Sequence, residues 1–284
     1  MNILSIQSAV AYGHVGNSAA VFALQRLGYE VWPVDTVRFS NHPGHGGFQG
    51  RASSATELAE LIQGLAAGNW LGQVDALLTG YMGAADQGPV IADAWARISA
   101  ANPRAIWALD PVIGDKGRVF VRPGIPEFLR DIAPRAQILT PNAFELEYLT
   151  GQTCRRLDEA LAAGRALRAG GTGRDRLVVV TGLALDDLDP GTLTTLAIDA
   201  TAAWRVTTPA QPHPAHGAGD LFSALFLGRY LRKRDAREAL AGATAAVHAV
   251  IAHSAAAGAR EMLLIDAQDE LAEPHRLFEV VPVG

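Results

Sequence analysis

In the stretch "HGAGDLFSALF", two glycines, a small residue and an acid stand directly before an apolar run. Gly217 and Gly219 open backbone conformations closed to other residues. Ala218 between them is small, and "DLFSALFLGRYL" repeats apolar residues at helical spacing. Such a loop at a helix N-terminus turns unpaired N–H groups outward, where the helix dipole favours an anion. Asp220 falls in the first turn. It is placed either to cap the helix, a contribution of about 1 kcal/mol, or to take a proton beside a bound phosphate. Two further stretches bear on that choice. "ALDPVIGDKG" ends a strand in Asp110 and continues to Asp115, and "LTPNAFELEYL" ends one at Thr140 and sets Asn142 and Glu145 at i and i+3 where a helix starts. Taken singly, Asp110 and Asn142 read as turn residues beside Pro111 and Pro141. Taken together, Asp110, Asp115 and Glu145 should converge on one sheet edge. Clustered carboxylates repel unless a cation sits among them, and hard oxygen ligands that leave room for water and phosphate suit Mg²⁺. Beside a glycine-rich anion loop, they point to phosphoryl transfer.

The commoner nucleotide motifs are excluded by inspection. A Walker A loop needs Gly-Lys-Ser/Thr, and neither lysine, Lys116 nor Lys233, follows a glycine. A dinucleotide fingerprint needs a third glycine three places after a Gly-x-Gly pair. The pairs Gly44/Gly46, Gly171/Gly173 and Gly217/Gly219 are followed there by Gln49, Arg176 and Phe222.

The elements that must position these residues alternate along the chain. "NILSIQS", "YEVWPVDTV", "VDALLTG", "AIWALDP", "QILTPN" and "RLVVVTG" read as strands. Between them, "GNSAAVFALQRLG" reads as a helix capped by Asn17 or Ser18, and "SATELAELIQGLAAG" as one with a capping box of Ser54 and Glu57. "DQGPVIADAWARISAAN", "AFELEYLTG" and "RLDEALAAGRALRAGG" are further helices, and "RFSNHPGHGGFQGR" reads as a loop. "TLTTLAIDATAAWRVTTP" reads as a hairpin turning near Asp199 and Ala200; two helices and the apolar tail "FEVVPV" follow. Repeated β–α alternation predicts an α/β fold with a mostly parallel sheet covered on both faces. Ligands of such sheets bind beyond the carboxyl ends of the strands, so Ser8, Thr79, Asp110, Thr140 and Thr181 are the strand-closing residues to inspect.

With 284 residues, about half of them apolar, and no linker or repeat, the chain is expected to form a single domain over 1–284. A net charge of −5 carries no nucleic-acid footprint. The sole cysteine, Cys154, precludes an internal disulfide and fits a reducing, cytoplasmic setting. "MNILSIQSAV" lacks the basic start of a signal peptide. "ALAGATAAVHAVIAHSAAAGA", mostly alanine with two histidines, reads as a buried helix rather than a membrane span.

The "GAGD" and "NAFE" stretches are similar to the Gly-x-Gly-Asp and Asn-x-x-Glu signatures of the ribokinase superfamily. "SIQSAVAYGHVGNSAA", "VRFSNH", "LTGYMG", "DPVIGDKG" and "TPNAFELEYLTG" narrow the resemblance to its vitamin B6 branch, the pyridoxal/pyridoxamine kinases, over nearly the whole chain. The resemblance implies a ribokinase-like three-layer α/β/α sandwich without a separate lid domain. It also implies ATP-dependent phosphorylation of the 5′-hydroxymethyl group of pyridoxal, pyridoxine or pyridoxamine by a homodimer. Asp220 matches the catalytic base, and the N–H groups of Gly217, Ala218, Gly219 and Asp220 match the donors that hold the transferred phosphoryl group. Asp110, Asn142, Glu145 and Thr181 match ATP-side positions, with Thr208, Pro209, Ala210 and Gln211 where the nucleotide-flanking segment lies. Asp115 and Glu145 match positions linked to Mg²⁺ or another divalent cation, and Thr140 a monovalent-cation position for K⁺ or Na⁺. Ser8 matches the residue that hydrogen-bonds the pyridine ring; Tyr81, His42, Pro43 and Gly44 match the rest of the substrate side.

Three departures stand out. Pro43 occupies a position where threonine is usual and has neither hydroxyl nor N–H, so one substrate hydrogen bond lacks its donor. Ala218 stands where threonine or valine is common, which leaves the backbone donors intact. The segment from Gln211 to Gly217 is short. Two His-x-x-H pairs, His42/His45 and His213/His216, could bind zinc if their loops met, but they lack the fixed i, i+4 face of a zinc helix; the plainer reading has them cover the site. The rival enzyme is hydroxymethylpyrimidine kinase, which shares fold and chemistry but which "YGHVGN" and "FSNH" disfavour. A rival of another class is a B6-vitamer-binding protein without catalysis, motivated by Pro43.

Overall fold

The computed structural model describes residues 1–173, 175–211 and 216–284. The chain begins β1 (Asn2–Tyr12), α1 (Asn17–Arg26), β2 (Glu30–Asn41), β3 (Gly50–Ala52), α2 (Ala55–Ala67), β4 (Val74–Thr79) and α3 (Gln87–Ala101). It continues with β5 (Ile106–Leu109), the short pair β6 (Gly114–Asp115) and β7 (Arg118–Val119), α4 (Ile125–Ile132), β8 (Ile138–Leu139), α5 (Ala143–Thr150) and α6 (Leu157–Ala169). It ends with β9 (Leu177–Leu183), β10 (Thr192–Ile198), β11 (Ala203–Pro209), α7 (Ala218–Lys233), α8 (Ala236–Ala256), α9 (Gln268–Ala272) and β12 (Val280–Pro282).

Ten strands join one sheet in the order β12-β11-β10-β9-β8-β5-β4-β1-β2-β3. The six from β9 to β2 pair in parallel, and antiparallel strands finish both margins. Because β10 reverses on β9 and β11 reverses again, β11 ends on the same edge as the parallel strands. Successive side chains of a strand point to opposite faces, and the strands of this sheet use both. Leu4, Ile6, Val178 and Val180 pack with α2, α3, α4 and α6. Ile3, Leu177 and Val179 pack with α1, α7 and α8. Two apolar cores on either side of one sheet make the three-layer α/β/α sandwich that the resemblance implied. Each fully buried Leu, Ile, Val or Phe contributes about 1.5–3 kcal/mol by leaving water.

Helix α8 is long and apolar enough, by length and composition alone, to cross a membrane. Its residues Ala239, Leu240, Ala243, Ala246, Val247 and Val250 are buried in the second core, as expected of a buried helix. The Ser54–Glu57 capping box forms as expected. Asn17 and Ser18 correct the expectation. Gly16 holds the cap position of α1 with no side-chain cap. Ser18 instead donates to the Val10 carbonyl and accepts from its N–H, while buried Asn17 accepts from the Ser5 hydroxyl and donates to Asp35. These bonds lock β1, β2 and α1 together, which outweighs the local preference for capping. The stretch expected as a loop after β2 is largely a hairpin: Arg38–Asn41 still belong to β2, and Arg38 and Phe39 pair with Arg51 and Gly50 of β3, leaving a turn over 42–49.

Candidate active site

Asp110 follows β5 directly, and its N–H donates to the Thr79 carbonyl of the neighbouring strand. It is buried. One carboxylate oxygen accepts from the Ser223 hydroxyl at 3.2 Å, and Ser223 lies 2.8 Å from the Thr140 hydroxyl. Ser223 was not singled out from the sequence; it lies one helical turn after Asp220, and that i+3 spacing was the available signal. The Asp110–Ser223–Thr140 chain fastens the ends of β5 and β8 to α7.

Helix α5 opens with a reciprocal cap. The Asn142 side chain accepts from Glu145 N–H and Glu145 accepts from Asn142 N–H, each at 2.9 Å. Asn142 also donates to the Gly114 carbonyl at 2.8 Å, and its backbone bridges to Thr181, which does not close β9 as expected but lies two residues before its end. The other oxygen of Glu145 accepts from Ile113 N–H at 3.0 Å. Glu145 is therefore held rigidly, with the β6–β7 hairpin and its Asp115 beside it.

The first turn of α7 completes the cluster. Gly217, at φ 84°, is the cap, and a Cβ there would lie 2.0 Å from the His14 carbonyl. Only a glycine lets this loop sit against the β1–α1 turn. Ala218, Gly219 and Asp220 follow as the first three helical residues, whose N–H groups have no partner within the helix. A Cβ on Gly219 would stand 3.9 Å from the Asp110 carboxylate, so the loop and the strand end face each other. The Asp220 carboxylate accepts from Gly16 N–H.

The electrostatics follow from burial. Burial pushes Asp110 well above the usual carboxylate range, and the nearby carboxylates of Glu145 and Asp220 push it further. Burial raises Glu145 to about 8 against its backbone donors, with Asp115 adding to the rise. Burial raises Asp220 to about 6, opposed by the Gly16 donor. Expected convergence of Asp110, Asp115 and Glu145 on one edge is met, with Asp220 joining them. Among the described residues, no three His, Cys, Asp or Glu side chains close on a metal position. The arrangement fits a divalent ion that keeps water and phosphate oxygens as ligands: hard oxygens only, mutually repelling, and supplied from the end of β5, β6, α5 and α7.

The other expected residues are distributed around this edge. Ser8 does not close a strand. It lies within β1, at the point where pairing with β2 slips and just past the last β1–β4 pair, Ile6 with Thr79. Ser8 is buried there, two residues past the level at which β4, β5 and β8 end. Thr79 is structural: its hydroxyl accepts from the buried Trp107 indole at 2.8 Å. Tyr81, half-buried just beyond β4, accepts at its carbonyl from Thr36 at 2.6 Å, and burial raises its phenol. Thr208 is buried near the end of β11. Pro209 and Ala210 are exposed, and the Gln211 amide donates to His248 at 3.1 Å. These four lie on the same edge but make no contact with the carboxylates among the bonds described.

The turn after β2 is built from histidines. Pro43 and Gly44 are exposed, and Gly44 N–H donates to His42 Nδ1 at 3.1 Å. His42 stacks on His216 at 4.1 Å, and His45 meets the edge of His216 at 5.7 Å. Burial lowers His42 to about 4, with His216 adding to the fall, so its ring is neutral and can accept. The two His-x-x-H loops thus meet, but through stacked rings rather than a converging ligand set; His213 lies outside the described residues.

A family model described as phosphomethylpyrimidine kinase matches residues 69–264. The chain is 47% identical over 286 residues, covering all of both proteins, to a pyridoxal kinase of Leifsonia xyli. It is 48% identical to one of Rubrobacter xylanophilus, across 99% of this chain and 97% of that one. A solved pyridoxal kinase of Leishmania donovani, in complex with ADP and pyridoxamine, superposes with a TM-score of 0.93 at 28% identity, covering 100% of this chain and 99% of that one. A loop of helix N–H groups facing buried Asp110, on a fold and sequence shared along its full length with these relatives, places the chain in the pyridoxal kinase family, within the broader phosphomethylpyrimidine kinase group.

Proposed function

We propose that this enzyme transfers the γ-phosphoryl group of ATP to the 5′-hydroxymethyl group of pyridoxal, and of pyridoxine and pyridoxamine, as a step of vitamin B6 salvage. The observation that carries this reading is Asp220, a carboxylate in the first turn of α7 that faces buried Asp110 across the anion loop. As the alcohol oxygen attacks the γ-phosphorus, its proton passes to Asp220, and the bond from phosphorus to the bridging oxygen breaks to leave ADP. The N–H groups from Gly217 to Asp220 take the charge that develops on the phosphoryl oxygens, the largest kind of contribution such a site makes. Ser8 bonds the pyridine ring, with Tyr81, His42, Pro43 and Gly44 around it. Gly44 N–H is already given to His42, so this turn recognises substrate by shape and by the His42 ring more than by a backbone donor.

On the nucleotide side, Asp110, Asn142, Glu145 and Thr181 face the phosphates, and Thr208, Pro209, Ala210 and Gln211 flank the base and ribose. Asp115 and Glu145 would hold Mg²⁺, which neutralises phosphate charge when bound. Thr140, whose hydroxyl is engaged by Ser223, would hold K⁺ or Na⁺. We further propose one domain without a lid, since among the described residues all strands except β6 and β7 join one sheet, a homodimeric assembly and a cytoplasmic setting. Buried Cys154, pushed up to about 12 by burial, fits that setting as an unreactive thiol.

A pyrimidine kinase is the reading that the family model favours, but residues 69–264 leave out "YGHVGN" and "FSNH". A steady-state assay of each B6 vitamer and of hydroxymethylpyrimidine with ATP decides. Preference for a vitamer is expected; preference for the pyrimidine overturns the substrate assignment, and tight pyridoxal binding without ADP release overturns the activity.

The base must be ionised to act. With the Asp220 carboxyl raised to about 6, kcat/KM for pyridoxal at saturating MgATP should fall about tenfold per pH unit below pH 6 and level off above it. A profile flat down to pH 4.5 would reject Asp220 as the titrating base.

A further inference from the structure

Glu261 lies in the connection between α8 and α9, is buried, and is absent from the machinery described above. Its carboxylate reaches two turns at once. One oxygen accepts from His14 N–H at 3.3 Å and would stand 2.3 Å from a Cβ on Gly13, whose φ of 94° suits glycine. The other oxygen pairs with His45 Nε2. The connection holds the same turn a second time, since His14 Nδ1–H donates to the Met262 carbonyl at 3.0 Å. His45 in turn rests its ring edge on Tyr12 and His216, and His216 stacks on His42. A buried carboxylate is costly to desolvate unless hydrogen-bonded, and here its bonds join parts of the chain that are far apart in sequence.

We propose that Glu261 is a positioning residue that draws the 42–47 turn and the Tyr12–Gly16 turn together over the phosphate loop, so that the acceptor alcohol is presented to Asp220. The inference rests on the reading of Asp220 as the base for a vitamer alcohol. The His14 carbonyl abuts Gly217 and Gly16 N–H reaches Asp220, so the turn that Glu261 holds is the one that lies against the base. Glu261 acts through these neighbours and need not touch the substrate.

The test is Glu261→Ala, Glu261→Gln and His45→Ala in the full-length chain. Glu261→Ala should raise KM for pyridoxal at least tenfold with KM for ATP within twofold. Glu261→Gln, which can still accept from His14 N–H and donate to His45, should recover most of that loss. His45→Ala sits on a surface turn and provides the same cut should Glu261→Ala fail to fold. The double variant should lose less than the product of the two single losses, as coupled residues do. In the unliganded protein, hydrogen exchange in peptides covering 38–51 should quicken at least tenfold in Glu261→Ala, with α8 unchanged. Vitamer KM within twofold of wild type, equal rises in both KM values, or unchanged exchange over 38–51 would overturn the proposal. A wild type that phosphorylates no vitamer, yet shows the quickened exchange in Glu261→Ala, would instead sink the activity and leave the clamp standing.

Discussion

Asp220→Asn should lower kcat for pyridoxal phosphorylation by about 10²–10⁴-fold, the range a positioned general base supplies, while KM for ATP changes little. Asparagine keeps the shape and can still accept from Gly16 N–H, but it has no basic oxygen for the alcohol proton. The variant should also melt no lower than wild type near neutral pH. Burial raises the Asp220 carboxyl from 3.8 to about 6. Its protonated form is therefore favoured in the folded state, and that stability is lost as pH rises from about 4 through 6. A neutral amide removes the penalty on the ionised form. Turnover within tenfold of wild type would reject Asp220 as the base, whatever the melting temperature.

Gly217→Val should cost about 10²-fold in kcat and raise KM for ATP. The φ of 84° costs an L-residue about 1–2 kcal/mol, and the new Cβ would stand 2.0 Å from the His14 carbonyl and 3.1 Å from the Val15 Cα. Both obstacles are backbone, so the start of α7 must move rather than a side chain give way. A displacement of about 1 Å at a reacting centre is worth about 10²-fold. A variant with near-normal kcat and the wild-type KM for ATP would show that the loop is not the phosphoryl site. Steady-state kinetics with circular dichroism as the folding control separates displacement of the loop from loss of the fold.

Much of the site is legible because its parts are local. The Asn142–Glu145 pair, the Ser54–Glu57 box and the Gly217–Asp220 loop each declare themselves within four residues, and the strand-to-helix rhythm sends their ends to one edge. What stayed hidden depends on partners distant in sequence. Asn17 looks like a cap until Asp35 and Ser5 claim its side chain. Helix α4, between Gly124 and the Ala133–Arg135 turn, is short and carries Pro126 at its start, so its proline-punctuated sequence reads as connection. Ser8 depends on a slip in strand pairing that no residue type announces. Glu261 meets His14 and His45 from more than two hundred residues away, and a single acid in "AREMLL" gives no hint of either.

The two apolar cores described for the sheet set the cooperativity of the molecule. One core could loosen while the other holds, as separately stabilised units of a protein often do. The phosphate loop belongs to α7 on one face, whereas Asn142 and Glu145 open α5 on the other. A nucleotide held by both, as proposed, would span the boundary between the layers. At one hundred times its dissociation constant it adds about 2.7 kcal/mol, and neither layer can open without giving that up. Nucleotide should therefore act as a rivet between the layers, and the loaded enzyme should resist proteases and heat better than the empty one.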